Sequence, residues 1–270
     1  MLGLTAIKSD KIWGYELWIA STHPNGKQEE FERFCGGDYP LLVKVIQAND
    51  TLSVQIHPDD ATAKLYEGEN SRGKTECWYV LDAEEGARLV CGLNGIYTAS
   101  ELRKALKANS IQDCLNYVSV KKGDFIYIPS GTVHAIGGGL RLLEVQQSCD
   151  ITYRFFDWGR GRECHEEKAI ACIKDSPVRS VSSFPGVFSC PYFTLEQIFV
   201  EGQYEDSADP ASSTPSAEDF TLLFIIEGSG ILNGKKVKAE EIYALEAGEE
   251  IKAEGDFSMM RIVPQKQKKH

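Results

Sequence analysis

Nowhere does this chain of 270 residues run to the roughly 18 consecutive apolar residues that would read as a membrane-spanning helix. Its opening, "MLGLTAIKSDKIWGYELW", has no basic stretch leading into an apolar core and a small-residue cleavage site, so a cytoplasmic protein without a membrane partner is expected. No C-x-x-C pair occurs. The eight cysteines (Cys35, Cys77, Cys91, Cys114, Cys149, Cys164, Cys172, Cys190) are scattered through a chain too large to need staples, and reduced, mostly buried thiols are expected. Positive charge is scarce: 29 Lys and Arg against 40 Asp and Glu leave a net charge of -11, which argues against a nucleic-acid partner. The short basic end "QKQKKH" reads as a frayed, solvated tail. There is no Walker loop either, so any phosphate must be held by side chains.

What is present is an ordinary globular composition, 42% hydrophobic and 26% charged, enough for one large domain or two small ones. Strand-like runs dominate. "PLLVKVIQA", "TLSVQIHP", "ECWYVLD", "ARLVCGL", "DFIYIP", "LRLLEVQQ" and "ITYRFFDW" are β-branched and aromatic and are bounded by Gly, Pro, Asn or Asp, the pattern of an all-β sandwich or barrel. Between them "TASELRKALKANSIQDCLN" changes to helical spacing, with Thr98 or Ser100 as cap, and predicts a helical insertion at about 98–116. A second helix is predicted in "RECHEEKAIACIK", followed by a linker, "DSPVRSVSSFPG". A further strand series follows: "YFTLEQIFVEG", "FTLLFIIEG", "GILNG", "EIYALEAG" and "SMMRIVP", interrupted by "EDSADPASSTPSAED", which reads as a flexible surface loop. The expected division is a first lobe over 1–160, a helix and linker over 161–188 and a second lobe over 189–270. Laying "EEIYALEAGEEI" under "DFIYIPSGTVH" puts Gly248 under Gly131 and Ile251 under His134, so the second lobe reads as a weak copy of the first without its chemistry.

In "SVQIHP" the period of two turns Gln55 and His57 to one face and Val54 and Ile56 to the other. Glu76 heads the strand in "GKTECWYV", and His134 stands where the Pro-Ser-Gly turn of "IPSGTVHAI" enters the next strand. A carbonyl oxygen from Gln55, imidazoles from His57 and His134 and the Glu76 carboxylate form a mixed N/O set suited to a divalent cation. Each residue alone would more simply be a turn, surface or core residue; the joint pattern is what carries the metal reading.

"GDFIYIPSGTVH" matches the second cupin motif, G-x5-P-x-G-x2-H, at every fixed position, and "QIH" followed by Glu76 resembles the first motif in the form used by type I mannose-6-phosphate isomerases. "KIWGYELW", "LLVKVIQANDTLSVQIHPDD", "GKTECWYVLD" and "LLEVQQSCDITYRFFDWGR" extend the likeness over most of residues 7 to 175, to the short bacterial branch of that family. Where some members carry an Asp before the Trp-Gly pair, this chain has Ile12. The resemblance implies two cupin-like β-barrel (jelly-roll) lobes, with one Zn2+ per chain, other divalent metals being possible. It implies Gln55, His57, Glu76 and His134 as metal ligands, and Lys44, Lys74, Glu144 and Arg154 as the other pocket groups. The implied activity interconverts mannose 6-phosphate and fructose 6-phosphate, with the sugar phosphate as partner and a monomer as the working form.

Aldose–ketose isomerisation needs a base at carbon, stabilisation of an enediolate and proton traffic between two oxygens. Glu144 is the leading base, on the ground that a carboxylate in an apolar barrel can have a raised pKa, and Lys74 or Lys44 could share proton transfer if a neighbouring cation depressed a lysine pKa. Arg154, alternating with Tyr153 and Phe155, offers a planar fork for phosphate. Arg160 and Arg162, just beyond in "DWGRGRE", are left as loop charges, a rim role staying open. Two rival readings stay open at this level: another cupin metalloenzyme of the dioxygenase type, and a sugar-phosphate sensor that has lost turnover.

Overall fold

The β-branched and aromatic runs pair into three sheets in the computed structural model, which describes residues 1–174, 181–212 and 216–266. Among these residues the α-helices are α1 (Glu29–Cys35), α2 (Asp60–Glu67), α3 (Ala99–Lys107) and α4 (Glu166–Cys172), and none is long and apolar enough to cross a membrane. The fold is β-dominated, with a helical insertion and a linking helix where the spacing predicts them. All eight cysteines are free and six are buried.

The chain divides into two units, one made of Lys8–Leu17 and Lys44–Ser183, the other of Met1–Ile7, Trp18–Val43 and the described residues from Phe184 on. Residues 18–43, expected in the first lobe, therefore cluster with the C-terminal strands. The Tyr39 hydroxyl donates to the Phe220 carbonyl at 3.2 Å, and the rings of Phe34 and Phe220 meet edge-on at 5.4 Å. Pairings across that much sequence leave no local pattern to read.

The unit built on Lys44–Ser183 is a barrel of two antiparallel sheets. Within this unit the first runs Ser182–Ser183, Asp124–Ile128, Glu76–Ala83, Leu140–Gln147 and then residues 44–48, 14–17 and 8–11; the second runs Tyr153–Phe156, Val54–Ile56, His134–Ile136, Arg88–Leu93, Leu115–Ser119. Alternation sorts their side chains. Trp78, Val80, Ile126, Ile128 and Leu142 of the first sheet meet Leu89, Cys91 and Ile136 of the second in one buried cluster. The opposite face of the second sheet, Val54, Ile56, Val90, Ala135, Tyr153 and Phe155, is covered by Leu102 of α3, by Ile111 and by Ala169 and Ile170 of α4. The helical insertion thus seals a face that would otherwise be apolar and wet. Phe155 in that layer is fully buried, and truncation to Ala would cost about 3–5 kcal/mol.

The Thr98 hydroxyl accepts from Glu101 N while the Glu101 carboxylate accepts from Thr98 N, a capping box that fixes where α3 begins. Helices α1 and α2 fall outside the two that periodicity predicts. Only Ala63 of α2 is buried, so α2 shows almost no apolar stripe, and its start is set by the Asp59 side chain accepting from Thr62 N at 2.8 Å.

In the other unit a seven-stranded antiparallel sheet contains Phe193–Ser207 paired with Glu250–Pro264 in unbroken register. "FTLLFIIEG" and "GILNG" form one strand, Thr221–Leu232, with a bulge between Ile225 and Glu227 instead of two strands. The stretch read as a surface loop is held at both ends: Glu205–Ser207 pair with Glu250–Lys252, and Asp219 is buried; residues 213–215 lie outside the described residues. So do 175–180 of the expected linker and 267–270 of the basic tail.

Candidate metal centre

Strand register places the candidate residues before any side chain is considered. On the inner face of the second sheet Arg154 is opposite Gln55, Gln55 opposite His134 and His134 opposite Cys91, a single row across four strands. On the facing sheet Glu144 is opposite Trp78 and Gln146 opposite Glu76. The turn that delivers His134 requires glycine. Gly131 has φ +85°, and a Cβ there would sit 2.7 Å from the Cys172 carbonyl oxygen; its N–H donates to the His57 carbonyl at 2.8 Å, tying the two histidine segments together.

His57, Glu76 and His134 converge, their ligand atoms all within 4.8 Å of one another. Glu76 Oε2 is 3.5 Å from His57 Nε2 and Glu76 Oε1 is 3.4 Å from His134 Nε2. The Nδ1 of His57 lies 2.9 Å from the Ile151 carbonyl and that of His134 2.8 Å from the Thr132 carbonyl. Carbonyls only accept, so both Nδ1 atoms carry the proton and both Nε2 lone pairs face the glutamate. Burial, reinforced by the Lys74 ammonium, pushes the His57 pKa down to about 3, and burial lowers that of His134 as well, so both rings are neutral. Burial alone would raise the Glu76 pKa, but the Lys74 ammonium holds it well below the usual carboxylate range. Both Nε2 atoms and Glu76 Oε1 are buried without a hydrogen-bond partner. Three such atoms converging are costly unless something charged sits among them, and two neutral imidazoles with a carboxylate are a fitting donor set for a divalent cation. Gln55, half-buried and beside His134 in register, is placed to add an amide oxygen.

Around this cluster two lysines make three ion pairs. Lys74 Nζ is 3.0 Å from Glu76 Oε2. Burial works against its charge, yet Glu76 and Glu144 outweigh burial and hold the lysine above its ordinary pKa. Among the protein's own groups it is two carboxylates that face Lys74. Lys44 Nζ is 3.1 Å from Glu144 Oε1 and 3.9 Å from Glu16 Oε2, while Trp78 donates its indole N–H to Glu144 Oε2 at 3.1 Å. Arg154 turns to the face opposite Tyr153 and Phe155, as its alternation predicts; its Nη1 donates to the Glu163 carbonyl at 2.6 Å, and its Nε is buried without a hydrogen-bond partner. Arg162 chelates Asp157 through Nε (2.8 Å) and Nη2, which makes it a brace of its own loop.

Two residues of the pocket escaped the sequence reading. Trp78 orients Glu144, and Gln146 is fully buried beside Glu76 with its Nε2 spent on the Gln147 and Cys149 carbonyls and its Oε1 left without a partner. The signal was available for Gln146, since the alternation in "LLEVQQ" that turns Glu144 inward turns Gln146 inward too.

Residues 19–86 match the family model for the phosphomannose isomerase type I catalytic domain. The mannose-6-phosphate isomerase of Streptococcus mutans is 35% identical over 271 residues, covering 87% of this chain and 81% of the relative. The chain belongs to the type I mannose-6-phosphate isomerase family. The crystal structure of the mannose 6-phosphate isomerase from Bacillus subtilis is similar with a TM-score of 0.83 and 28% identity, covering 96% of this chain and 98% of that one. A mannose 6-phosphate isomerase solved with zinc and yttrium shares the fold at a TM-score of 0.69 and 16% identity, over 98% and 99% of the two chains.

Proposed function

We propose that this chain interconverts mannose 6-phosphate and fructose 6-phosphate as a cytoplasmic monomer, with one zinc ion held by His57, Glu76, His134 and the side-chain oxygen of Gln55 and none in the C-terminal strands. Membership of the family makes it an aldose–ketose isomerase. The observation that carries the site assignment is the convergence of three buried ligand atoms without a hydrogen-bond partner, His57 Nε2, His134 Nε2 and Glu76 Oε1. In the C-terminal unit Gly248, like Gly131, has a positive φ (+71° and +85°), and Ile251, which the sequence alignment sets under His134, is fully buried and offers a cation nothing.

A bound divalent cation would act as a Lewis acid toward the negative charge that develops on the substrate oxygens. The rest falls to the chain's own groups. Glu144 takes the proton from carbon; Trp78 and Lys44 hold its two oxygens, so the carboxylate is oriented before substrate arrives. Lys74, 3.0 Å from Glu76 Oε2, supplies positive charge beside the reacting oxygens. Arg154 presents a guanidinium to the phosphate from the row it shares with Gln55 and His134. Trp78 and the apolar layer beneath it keep bulk water from the enediolate.

The dioxygenase reading is set aside by family membership, and the sensor reading is tested directly. Fructose 6-phosphate formation from mannose 6-phosphate, followed by a coupled assay with and without chelator, should show turnover that chelation abolishes; sugar-phosphate binding without turnover in the metal-replete protein would establish the sensor instead.

A further inference from the structure

On the outer side of the five-stranded sheet, behind the strand that begins with His134, lies a cavity of about 410 Å³ floored by Val90 and Ala135 and walled by Arg88, Tyr117, Trp158 and Arg160. Ala135 follows His134 in the chain and turns to the other face, so this cavity is separated from the metal centre by the sheet itself.

Its walls carry two guanidiniums and two aromatic rings, with Thr51 and the Asp50 carboxylate beside them. The Arg88 guanidinium lies over the Tyr117 ring, 4.6 Å from the centroid, forming a flat, positively charged platform. Trp158 has φ +54°, a left-handed conformation in which a bulky side chain is strained. The strain is held by the indole N–H donating to the Leu52 carbonyl at 2.7 Å and by edge-on packing with Phe156 at 5.2 Å. Arg160 is only partly neutralised. Its Nη2 is 3.3 Å from Asp157 Oδ1, an oxygen already bound by Arg162, and its Nη1 is 3.7 Å from Asp50, whose side chain is 70% exposed and screened by water. One buried carboxylate shared by two guanidiniums leaves positive charge at the wall, in a chain whose net charge is -11.

We propose that this cavity is a second ligand site that takes an aromatic phosphate of mononucleotide size, its ring against the platform of Arg88 and Tyr117 and against Trp158, its phosphate on Arg160 in place of Asp50. The volume falls in the range of small-molecule sites, roughly 300–1,000 Å³. Flat π-surfaces favour a planar ring over a sugar, and the uncompensated guanidinium favours an anion over a neutral ring.

The test is equilibrium dialysis of the metal-loaded full chain against adenosine 5'-monophosphate, with adenosine and inorganic phosphate as the separate halves, all in saturating mannose 6-phosphate so that the metal centre is filled. The expected result is one bound nucleotide per chain, each half binding at least about tenfold more weakly, and a loss of about tenfold or more in affinity for Arg160→Ala and for Tyr117→Ala with isomerase kcat unchanged. Should Arg160→Ala misfold by near-ultraviolet circular dichroism, Arg88→Ala, at an exposed position, replaces it with the same expectation. No nucleotide bound under these conditions, displacement by mannose 6-phosphate, phosphate alone binding as tightly as the nucleotide, or affinity unchanged in the variants would each overturn the proposal.

Discussion

Trp78 and Glu144 face each other directly across the pairing of strands Glu76–Ala83 and Leu140–Gln147, and the tryptophan donates its indole N–H to Glu144 Oε2 at 3.1 Å. An indole nitrogen in the middle of an apolar core makes sense only if its hydrogen bond is used, here to fix a carboxylate whose other oxygen meets Lys44. Trp78→Phe keeps a ring in the core and removes the donor. We expect kcat to fall about tenfold with KM and zinc content little changed, and stability to fall by about 1–3 kcal/mol for the abandoned acceptor. Steady-state kinetics and denaturant unfolding measure both. An unchanged kcat would mean that the orientation of Glu144 is not used in the reaction.

His134→Ala removes one of two neutral imidazoles from a closed ligand set. Metal content and activity should be lost together while the far-ultraviolet circular dichroism of the β fold persists. The unaltered protein should hold about one equivalent of zinc by elemental analysis, on the one-site ligand count. A variant that keeps metal and rate would refute the assignment, and two tightly held equivalents would refute the metal-free C-terminal unit.

Arg154→Ala and Glu144→Gln should fail in opposite ways. Losing a charge-assisted phosphate contact should weaken kcat/KM for mannose 6-phosphate by about 2–4 kcal/mol and leave the slow reaction of unphosphorylated mannose nearly untouched. Losing the base should slow both substrates alike, because proton abstraction is common to them. Equal losses for Arg154→Ala would place the arginine at the reacting carbons, and an undiminished rate for Glu144→Gln would remove it as the base.

Acid stability of the C-terminal unit should depend on Asp219. Burial disfavours its charge, but Lys266 at 2.9 Å and the bonds from Ser212 and Ser216 outweigh that and bring its pKa down to about 2. A carboxylate depressed in the folded state stabilises the fold above its unfolded pKa, and that contribution fades as pH falls from about 4 to 2. Asp219→Asn should therefore lower stability by about 2 kcal/mol at pH 7 and flatten the dependence over that window. Urea unfolding midpoints at pH 7, 4 and 3 measure it; parallel curves for the two proteins would show that Asp219 carries no such linkage.

The features legible in the sequence are those whose physics is local. A strand ending in Pro-Ser-Gly before His134 is readable because Gly131 needs a positive φ, and Gln55 with His57 on one face follows from a period of two. The capping box of α3 spans four residues and needs nothing beyond them. Tertiary structure alone decided what lies across the barrel. The Nδ1 of His57 finds the Ile151 carbonyl 94 residues away and thereby frees Nε2, Trp78 meets Glu144 across 66, and Lys74 is driven above its ordinary pKa by carboxylates from two strands. Residues 18–43 cluster with strands more than 140 residues downstream, and helix α2 exists on one buried alanine and a cap. Strand register and burial arise from many weak contacts summed over whole elements, so no short window of sequence contains them; tautomer, ion pairing and pKa then follow from register and burial.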